Sequence, residues 1–284
     1  MVLRVGYVRE HFSSPLLQFA EEDQRKTFTL VECPSGTGQL IGRLTDNQID
    51  VAIALTDPLI AGIANGSSAY KLVGSYVETP LNWASIADLK DSTIGISRLG
   101  SGSQTMAYVM ALQQKWPTDN LKFKINNDIR GLIDSVNDGS TSAFMWEWFT
   151  TKPYQDSGEV KFIGSVPTPW PSWMIAASTD PERAPSKALS AFLSKLTTHV
   201  RAFDSPEKRV KDDVEFIKDK FGYPEEDVVA WLKTVKYPEN TAKISRKVLA
   251  DTLGVLQQAG FVTTPDGGFN LETFVNPEVA VQED

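Results

Sequence analysis

The sequence is poor in residues that build metal and redox sites. It has one cysteine, Cys33, and two histidines, His11 and His199, among 284 residues. A single cysteine cannot form an internal disulfide or a thiolate cluster, and the histidines lack the spacing of a metal site. No nucleophile elbow of the G-x-S-x-G kind occurs. We therefore expect no metal, no cofactor and no catalytic residues.

Positive charge and long apolar runs are also scarce. The 28 Lys and Arg residues against 36 Asp and Glu give a net charge of -8, without a basic cluster, which argues against nucleic acid as a partner. No apolar run is long enough to span a bilayer. Met1-Val2 leads directly into the first predicted strand, with no signal-peptide pattern. The sequence predicts a cytoplasmic protein, or a periplasmic one if a leader has been removed.

Short apolar runs alternate with helical periods along most of the chain. The predicted strands are residues 3–8, 28–31, 49–55, 70–76, 93–96, 121–125, 142–145, 160–163 and 173–177. From Pro181 onward the apolar residues keep a helical period, and from Glu278 we expect a loose tail. This pattern predicts an α/β protein with two doubly wound lobes, followed by C-terminal helices.

Three short motifs occur in an order that resembles a known family. Asp88-Leu89-Lys90, then Ile94-Gly95-Ile96, then Gly100-Ser101-Gly102-Ser103 is similar to the second-domain entry of type II periplasmic substrate-binding proteins. The chain resembles these proteins from Leu3 to about Pro238. The branch it resembles comprises the sulfonate- and taurine-binding proteins and the fungal thiamine-pyrimidine-synthase-like proteins.

The resemblance implies two lobes with a central cleft. Lobe I is expected from residues 1–78 and 177–284, and lobe II from residues 82–174. The prolines near residues 78–82 and 167–177 mark the predicted crossings between the lobes, which act as hinges.

Ligands of open α/β sheets bind beyond the carboxyl ends of the strands. This rule selects the polar and aromatic residues that follow the predicted strands. The candidate ligand-binding residues are Glu10, His11, Ser35, Gly36, Thr37, Thr56, Asp57, Arg98, Ser101, Gly102, Ser103, Asn127, Trp146 and Glu147. Ser101-Gly102-Ser103 is expected to bind an anionic group through backbone N–H groups at a helix start, although Ser101 with Gln104 also fits a capping box.

Several candidates have an equally simple structural interpretation. Asp57 before Pro58 is a natural N-cap, and His11 fits an ordinary loop. Arg98 fits either an anionic ligand or a surface carboxylate. Of Trp146 and Trp148, one is expected to reach the cleft and the other to lie in the core.

The favoured function is a small-molecule binding protein that closes two lobes around a small organic, anionic ligand. An enzyme of thiamine-pyrimidine biosynthesis is a second hypothesis. The resemblance implies a cysteine-rich iron motif and a cofactor lysine for such enzymes, and residues 49–65 contain neither lysine nor histidine. A third hypothesis is the substrate-binding protein of an ABC transporter, whose membrane partner would apply only if the native protein is secreted.

Overall fold

The apolar runs near the N-terminus form neighbouring strands of one five-stranded sheet. A computed structural model describes residues 2–79, 82–83 and 89–284, with only the backbone of residues 82–83. Five strands form the sheet in the order β2-β1-β3-β10-β4. They are β1 (Leu3–Tyr7), β2 (Phe28–Glu32), β3 (Val51–Leu55), β4 (Tyr70–Val77) and β10 (Trp173–Ser178).

The first three strands of this sheet are parallel, as the alternating pattern predicts. Helices follow each of them: α1 (Ser14–Asp23), α2 (Thr37–Thr45) and α3 (Thr56–Ala64). Strand β10 lies antiparallel between β3 and β4, with Ile175 opposite both Ile53 and Gly74. The sheet is therefore mixed, because the strand predicted as the return crossing lies within it, between β3 and the edge strand β4.

A second sheet has the parallel order β7-β6-β8. Its strands are β6 (Thr93–Ile96), β7 (Lys122–Ile125) and β8 (Ala143–Phe144), and helices α4 (Gly102–Gln113), α5 (Ile129–Asn137) and α6 (Trp148–Asp156) follow them. A separate antiparallel pair joins β5 (Asn82–Trp83) to β9 (Val166–Pro167).

The C-terminal part is mainly helical, as predicted. Its helices are α7 (Ser186–Phe203), α8 (Pro206–Val210), α9 (Asp212–Phe221), α10 (Glu225–Leu232) and α11 (Arg246–Gln258). The period of α7 is clear in its buried residues, among them Leu189, Phe192, Leu196 and Val200. Since these lie on one face, the helix covers apolar surface along its whole length.

Two local predictions were wrong. Residues 160–163 form no strand, because the N–H groups of Glu159 and Val160 donate to the Tyr154 carbonyl and continue the turn that ends α6. The tail is also ordered, because β12 (Val281–Glu283) pairs in parallel with β11 (Lys243–Ser245). Both outcomes depend on hydrogen-bond partners that a local apolar pattern does not show.

The chain divides into two compact units. The first unit comprises residues 1–79, 170–251 and 264–284, and the second comprises residues 80–169 and 252–263. Residues 252–263 were expected in lobe I. They group with the second unit, in which Phe261 contacts Tyr108 with ring centroids 5.1 Å apart. Pro80 and Asp88, named in the predicted crossing and entry motif, lie outside the described residues.

Candidate functional site

The register of the second sheet brings three polar loops to one edge. Ile96 of β6 pairs with Ile125 of β7, and Gly95 pairs with Phe144 of β8. Beyond the strands, the Asn126 N–H donates to the Ile96 carbonyl at 2.8 Å, and the Asn127 N–H donates to the Ser97 carbonyl at 3.0 Å. The residues after β6, β7 and β8 therefore line the carboxyl edge of this sheet, where α/β proteins bind ligands.

Helix α4 begins at this edge with a hydrogen-bonded turn. The Ser101 hydroxyl accepts from the Gln104 N–H at 3.3 Å, and the Gln104 side-chain carbonyl accepts from the Gly100 N–H at 2.7 Å. The Ser101 and Ser103 hydroxyls are 2.8 Å apart, and Ser103 also accepts from the Ser97 N–H at 3.3 Å. The capping interpretation of Ser101 and Gln104 is therefore confirmed.

Gly102 is the first residue of α4, and Ser103 is the second. N–H groups in the first turn of a helix have no intrahelical acceptor, and the helix dipole favours an anion there. The serine hydroxyls already bond to each other and to the backbone. What this turn can offer a ligand is consequently its backbone N–H groups and one serine O–H, because the Ser101–Ser103 bond uses only one of the two hydroxyl hydrogens.

The other candidates of this edge differ in exposure. Asn127 is exposed and has a positive φ of 68°, whereas Arg98 and Trp146 are half-buried. Helix α5 begins close behind Asn126, because a Cβ atom at Gly131 would lie 2.1 Å from the Asn126 carbonyl oxygen. Gly131 therefore sets how the loop that carries Asn127 is held against its helix.

Glu147 is a buried carboxyl group at the start of α6. Its side chain accepts from the Thr150 N–H at 2.8 Å and from the Thr150 hydroxyl at 2.9 Å, so it caps the helix. Burial raises the pKa of Glu147 to about 7. Glu147 thus carries a proton over much of the acidic range, and its hydrogen bonds with Thr150 hold the start of α6.

The candidates after β2 and β3 in the first unit are mostly engaged by the protein itself. The Thr37 hydroxyl accepts from the Leu55 N–H at 3.2 Å, and the Thr56 N–H donates to the Ser172 carbonyl at 3.0 Å. Ser35 is exposed, whereas Thr37, Thr56 and Asp57 are buried. Gly36 precedes α2 with φ 76° and ψ −160°, a conformation that glycine alone adopts readily.

The loop after β1 places its histidine in an aromatic cluster. The ring centroid of His11 lies 4.5 Å from that of Trp231 and 5.4 Å from that of Tyr223, and His11 is only 1% exposed. Burial lowers the pKa of His11 to about 3. The imidazole is therefore neutral at physiological pH. Glu10 beside it is half-buried.

The sequence did not predict the cavity that the second unit contains. It is lined by aromatic residues that include Trp146, Trp148 and Phe162. Trp146 and Trp148 both line this cavity and both are half-buried, and which of them reaches a cleft stays a prediction. The feature of the sequence that could have indicated this cavity is the aromatic-rich segment 146–149 together with Phe162. Such a pattern is equally typical of buried core residues.

No group of three or more His, Cys, Asp or Glu in residues 2–79 and 89–284 is placed to hold a metal ion. Within the same ranges, no helix has the length and apolar character that crossing a membrane requires.

The fold defines the class of protein. A family model described as Ca3427-like PBP matches residues 77–166. The alkanesulfonate-binding protein SsuA from Xanthomonas axonopodis pv. citri, solved bound to MOPS, is 15% identical with a TM-score of 0.73, over 99% of this chain and 98% of that one. The zinc-bound ligand-binding component of an ABC-type import system from Staphylococcus aureus is 13% identical, with a TM-score of 0.76 over 98% and 97%. The chain therefore has the periplasmic-binding-protein fold.

The family follows from a more similar structure. The CA3427 gene product of Candida albicans is 32% identical, with a TM-score of 0.88 over 100% of this chain and 98% of that one. It is described as defining a new family with the generic periplasmic-binding-protein fold. The chain belongs to this CA3427 family. The resemblance to the type II periplasmic-binding-protein group is thereby confirmed. No curated protein sequence matches the chain.

Proposed function

We propose that the protein binds a small organic anion and that the start of α4 contacts the anionic group. The observation that carries this proposal is the turn at Ser101–Ser103, which stands at the carboxyl edge of the second sheet with backbone N–H groups at a helix start. Arg98, Asn127 and Trp146 follow the three strands of the same sheet. They supply a cation, an amide and an apolar ring, as a site for a small polar molecule requires.

The relatives support binding rather than a particular ligand. One structure of this fold is of an alkanesulfonate-binding protein and another of a nitrate-binding protein, so anions are bound by other proteins with this fold. A sulfonate, carboxylate, phosphate or pyrimidine-like compound fits the proposed contacts.

The first test is a thermal-shift screen with panels of sulfonates, carboxylates, phosphates and pyrimidines. A ligand at about 100 times its dissociation constant adds about 2.7 kcal/mol of stability to the folded protein. We expect anions to raise the melting temperature and their neutral or cationic analogues to leave it unchanged. A screen in which cations alone stabilise the protein would contradict the proposal.

The sharper test is Gly102→Asp, measured by calorimetry with the anion that the screen selects. The new carboxylate repels the ligand's anionic group where the backbone must approach it. We expect affinity to fall at least about 100-fold, equal to about 2.7 kcal/mol. Gly102 is buried in the ligand-free protein, so the melting temperature of the variant is measured beside its affinity, and the affinity counts only for a protein that stays folded.

Gly42→Asp is the matched control for this substitution. Gly42 lies inside α2 of the first unit, and no atom would lie within 4 Å of a Cβ there. It makes the same change of charge away from the proposed site and should leave affinity within about twofold. Unchanged affinity in a folded Gly102→Asp protein would mean that the turn only caps α4.

Three finer predictions from the sequence stay predictions. They are the closure of two lobes around the ligand, the cytoplasmic location, and the alternatives in thiamine-pyrimidine synthesis or transport. For the transport alternative, the decisive measurement is binding to a membrane transporter in vesicles.

A further inference from the structure

The second unit contains a cavity at the outer edge of its sheet. The cavity measures about 320 Å³, and all its lining residues come from the segment 136–163. Strand β8 and Ser142 before it form one wall, and the segment that follows α6 forms another. Small-molecule sites usually span about 300–1,000 Å³, so this cavity suits a compound of one or two rings.

Aromatic rings form much of the cavity wall. The ring centroids of Trp148 and Phe162 are 4.1 Å apart with their planes at 42°, and both residues are half-buried. Trp146 lines the same space. Indole and phenyl faces give large apolar contact with defined geometry, so they favour a planar, unsaturated occupant over a flexible chain.

The cavity is lined by two charged residues, Glu159, whose charge is balanced by Arg130, and Lys161. Glu159 accepts from the Arg130 guanidinium at 2.6 Å, and this hydrogen bond lowers the pKa of Glu159. Lys161 also lines the cavity and is exposed, and it makes no ion pair with any residue of the described chain. The charge left for an occupant is therefore positive, and a carboxylate is its natural partner.

A peptide strand is a poorer occupant than a small molecule. Strand β8 is an outer strand of the sheet in the described residues, so an extended peptide could in principle pair with it. It is only two residues long, however. So short a strand offers too few backbone groups for a stable ladder of hydrogen bonds with a peptide. A peptide backbone on β8 would also leave the aromatic rings and Lys161 without a contact, whereas a small aromatic anion contacts both.

We propose that this cavity binds a small aromatic carboxylate, with its ring against Trp148 and Phe162 and its carboxylate paired with Lys161. The cavity shares Trp146 with the site at the start of α4 but does not involve Ser101–Ser103 or Arg98. It is therefore a second binding site, and its existence does not depend on the function proposed above.

The test is titration calorimetry with indole-3-carboxylate as the probe, beside neutral indole and cyclohexanecarboxylate. We expect the wild-type protein to bind indole-3-carboxylate saturably and more tightly than either analogue. Lys161→Met should weaken indole-3-carboxylate about fivefold, equal to about 1 kcal/mol, and leave indole unchanged. Lys122→Met is the matched control, because Lys122 is an exposed lysine on β7 at the opposite edge of the sheet.

Ser142→Phe tests the cavity itself. Ser142 is an exposed lining residue, so a phenyl ring there fills the space from its rim. Binding of indole and of indole-3-carboxylate should both be lost. If the Ser142→Phe protein does not melt cooperatively, the comparison of Lys161→Met with Lys122→Met still tests whether the carboxylate pairs with Lys161. Gly102→Asp should bind indole-3-carboxylate like the wild type, which separates this site from the one at α4.

Four results would overturn the proposal. They are the absence of saturable binding at millimolar probe, equal affinity for cyclohexanecarboxylate, equal weakening by Lys122→Met, and wild-type binding by a folded Ser142→Phe protein. Displacement of the probe by an extended pentapeptide, with no effect of Lys161→Met, would make the edge a peptide site instead.

Discussion

The carboxyl edges of the two sheets carry similar residues but use them differently. In the first unit, the polar side chains after β2 and β3 bond to the protein: Thr37 accepts from Leu55 and Thr56 donates to Pro171. In the second unit, Asn127 is exposed, and Arg98 and Trp146 are half-buried. The residues of both units lie at strand ends, so this position does not by itself identify a residue that contacts a ligand.

The two helix starts show the same difference in detail. Gly36 precedes α2 without a side-chain cap, and the chain there depends on an unusual glycine conformation. Ser101 caps α4 with its hydroxyl, and Gln104 returns a bond to Gly100. At both starts a glutamine side chain accepts from a backbone N–H, Gln39 from Ser35 at 3.0 Å and Gln104 from Gly100 at 2.7 Å, so what distinguishes the second start is its hydroxyl cap. Substitution of Gly36 should therefore lower the free energy of unfolding through backbone strain, and substitution of Ser101 should lower it through the loss of a capping hydrogen bond.

The largest expected effect is a pH dependence carried by Glu147, a buried carboxyl group of the second unit. The folded protein keeps a proton on Glu147 up to about pH 7, whereas an unfolded chain releases it near pH 4.5. Between these values the folded state binds more protons, so the free energy of unfolding falls as pH rises, by about 3 kcal/mol in all.

Glu147→Gln removes this titration and keeps an oxygen that can accept from Thr150. Urea denaturation between pH 4.5 and 7 should show a flatter pH dependence in the variant than in the wild type. Since other groups titrate in both proteins, the difference between the two curves is the quantity to compare. Parallel curves would mean that Glu147 is ionised in the folded protein.

The next prediction compares glycine-to-alanine substitutions at the start of α2 and inside the same helix by their effects on the free energy of unfolding. Gly36→Ala forces a side chain into φ 76°, ψ −160°, and we expect it to cost about 1–3 kcal/mol. Gly42→Ala within α2 should instead stabilise the protein by about 0.5–1 kcal/mol, because its space is open. Chemical denaturation of both variants measures this contrast, and a neutral Gly36→Ala would show that the loop relaxes.

The smallest effect compares the serines at the two starts. Ser101→Ala removes a buried cap and should lower the free energy of unfolding by about 1 kcal/mol. Ser35→Ala should change it by less than about 0.5 kcal/mol, because the side chain is exposed. Melting temperatures of the pair give the comparison. Equal losses would mean that the two helix starts are held in the same way.

Local pattern was enough for much of the fold. The β-branched runs at 51–55 and 93–96 are strands, and the glycine turn before Gln104 does begin a helix. The failures were long-range. Nothing near residue 281 shows that it will pair with β11, and nothing near Phe261 shows that it will contact Tyr108.

The candidate site was harder to predict for a related reason. The strand-end rule selects loops, but burial decides which side chains remain available, and burial depends on distant packing. His11 is covered by Trp231 and Tyr223, which come from the C-terminal part of the chain. Asn127 stays exposed after a strand of the same kind. The sequence therefore predicted the set of positions without ranking them.

The two units also bear on the biogenesis of the protein. Neither unit is made from one continuous stretch of chain, since the first needs β10 and β12 and the second needs residues 252–263. A nascent chain that stops at residue 251 lacks both the partner of β11 and the ring that contacts Tyr108. These contacts form only after residues 252–284 have left the ribosome, so we expect the nascent chain to expose part of the apolar surface of both units until then.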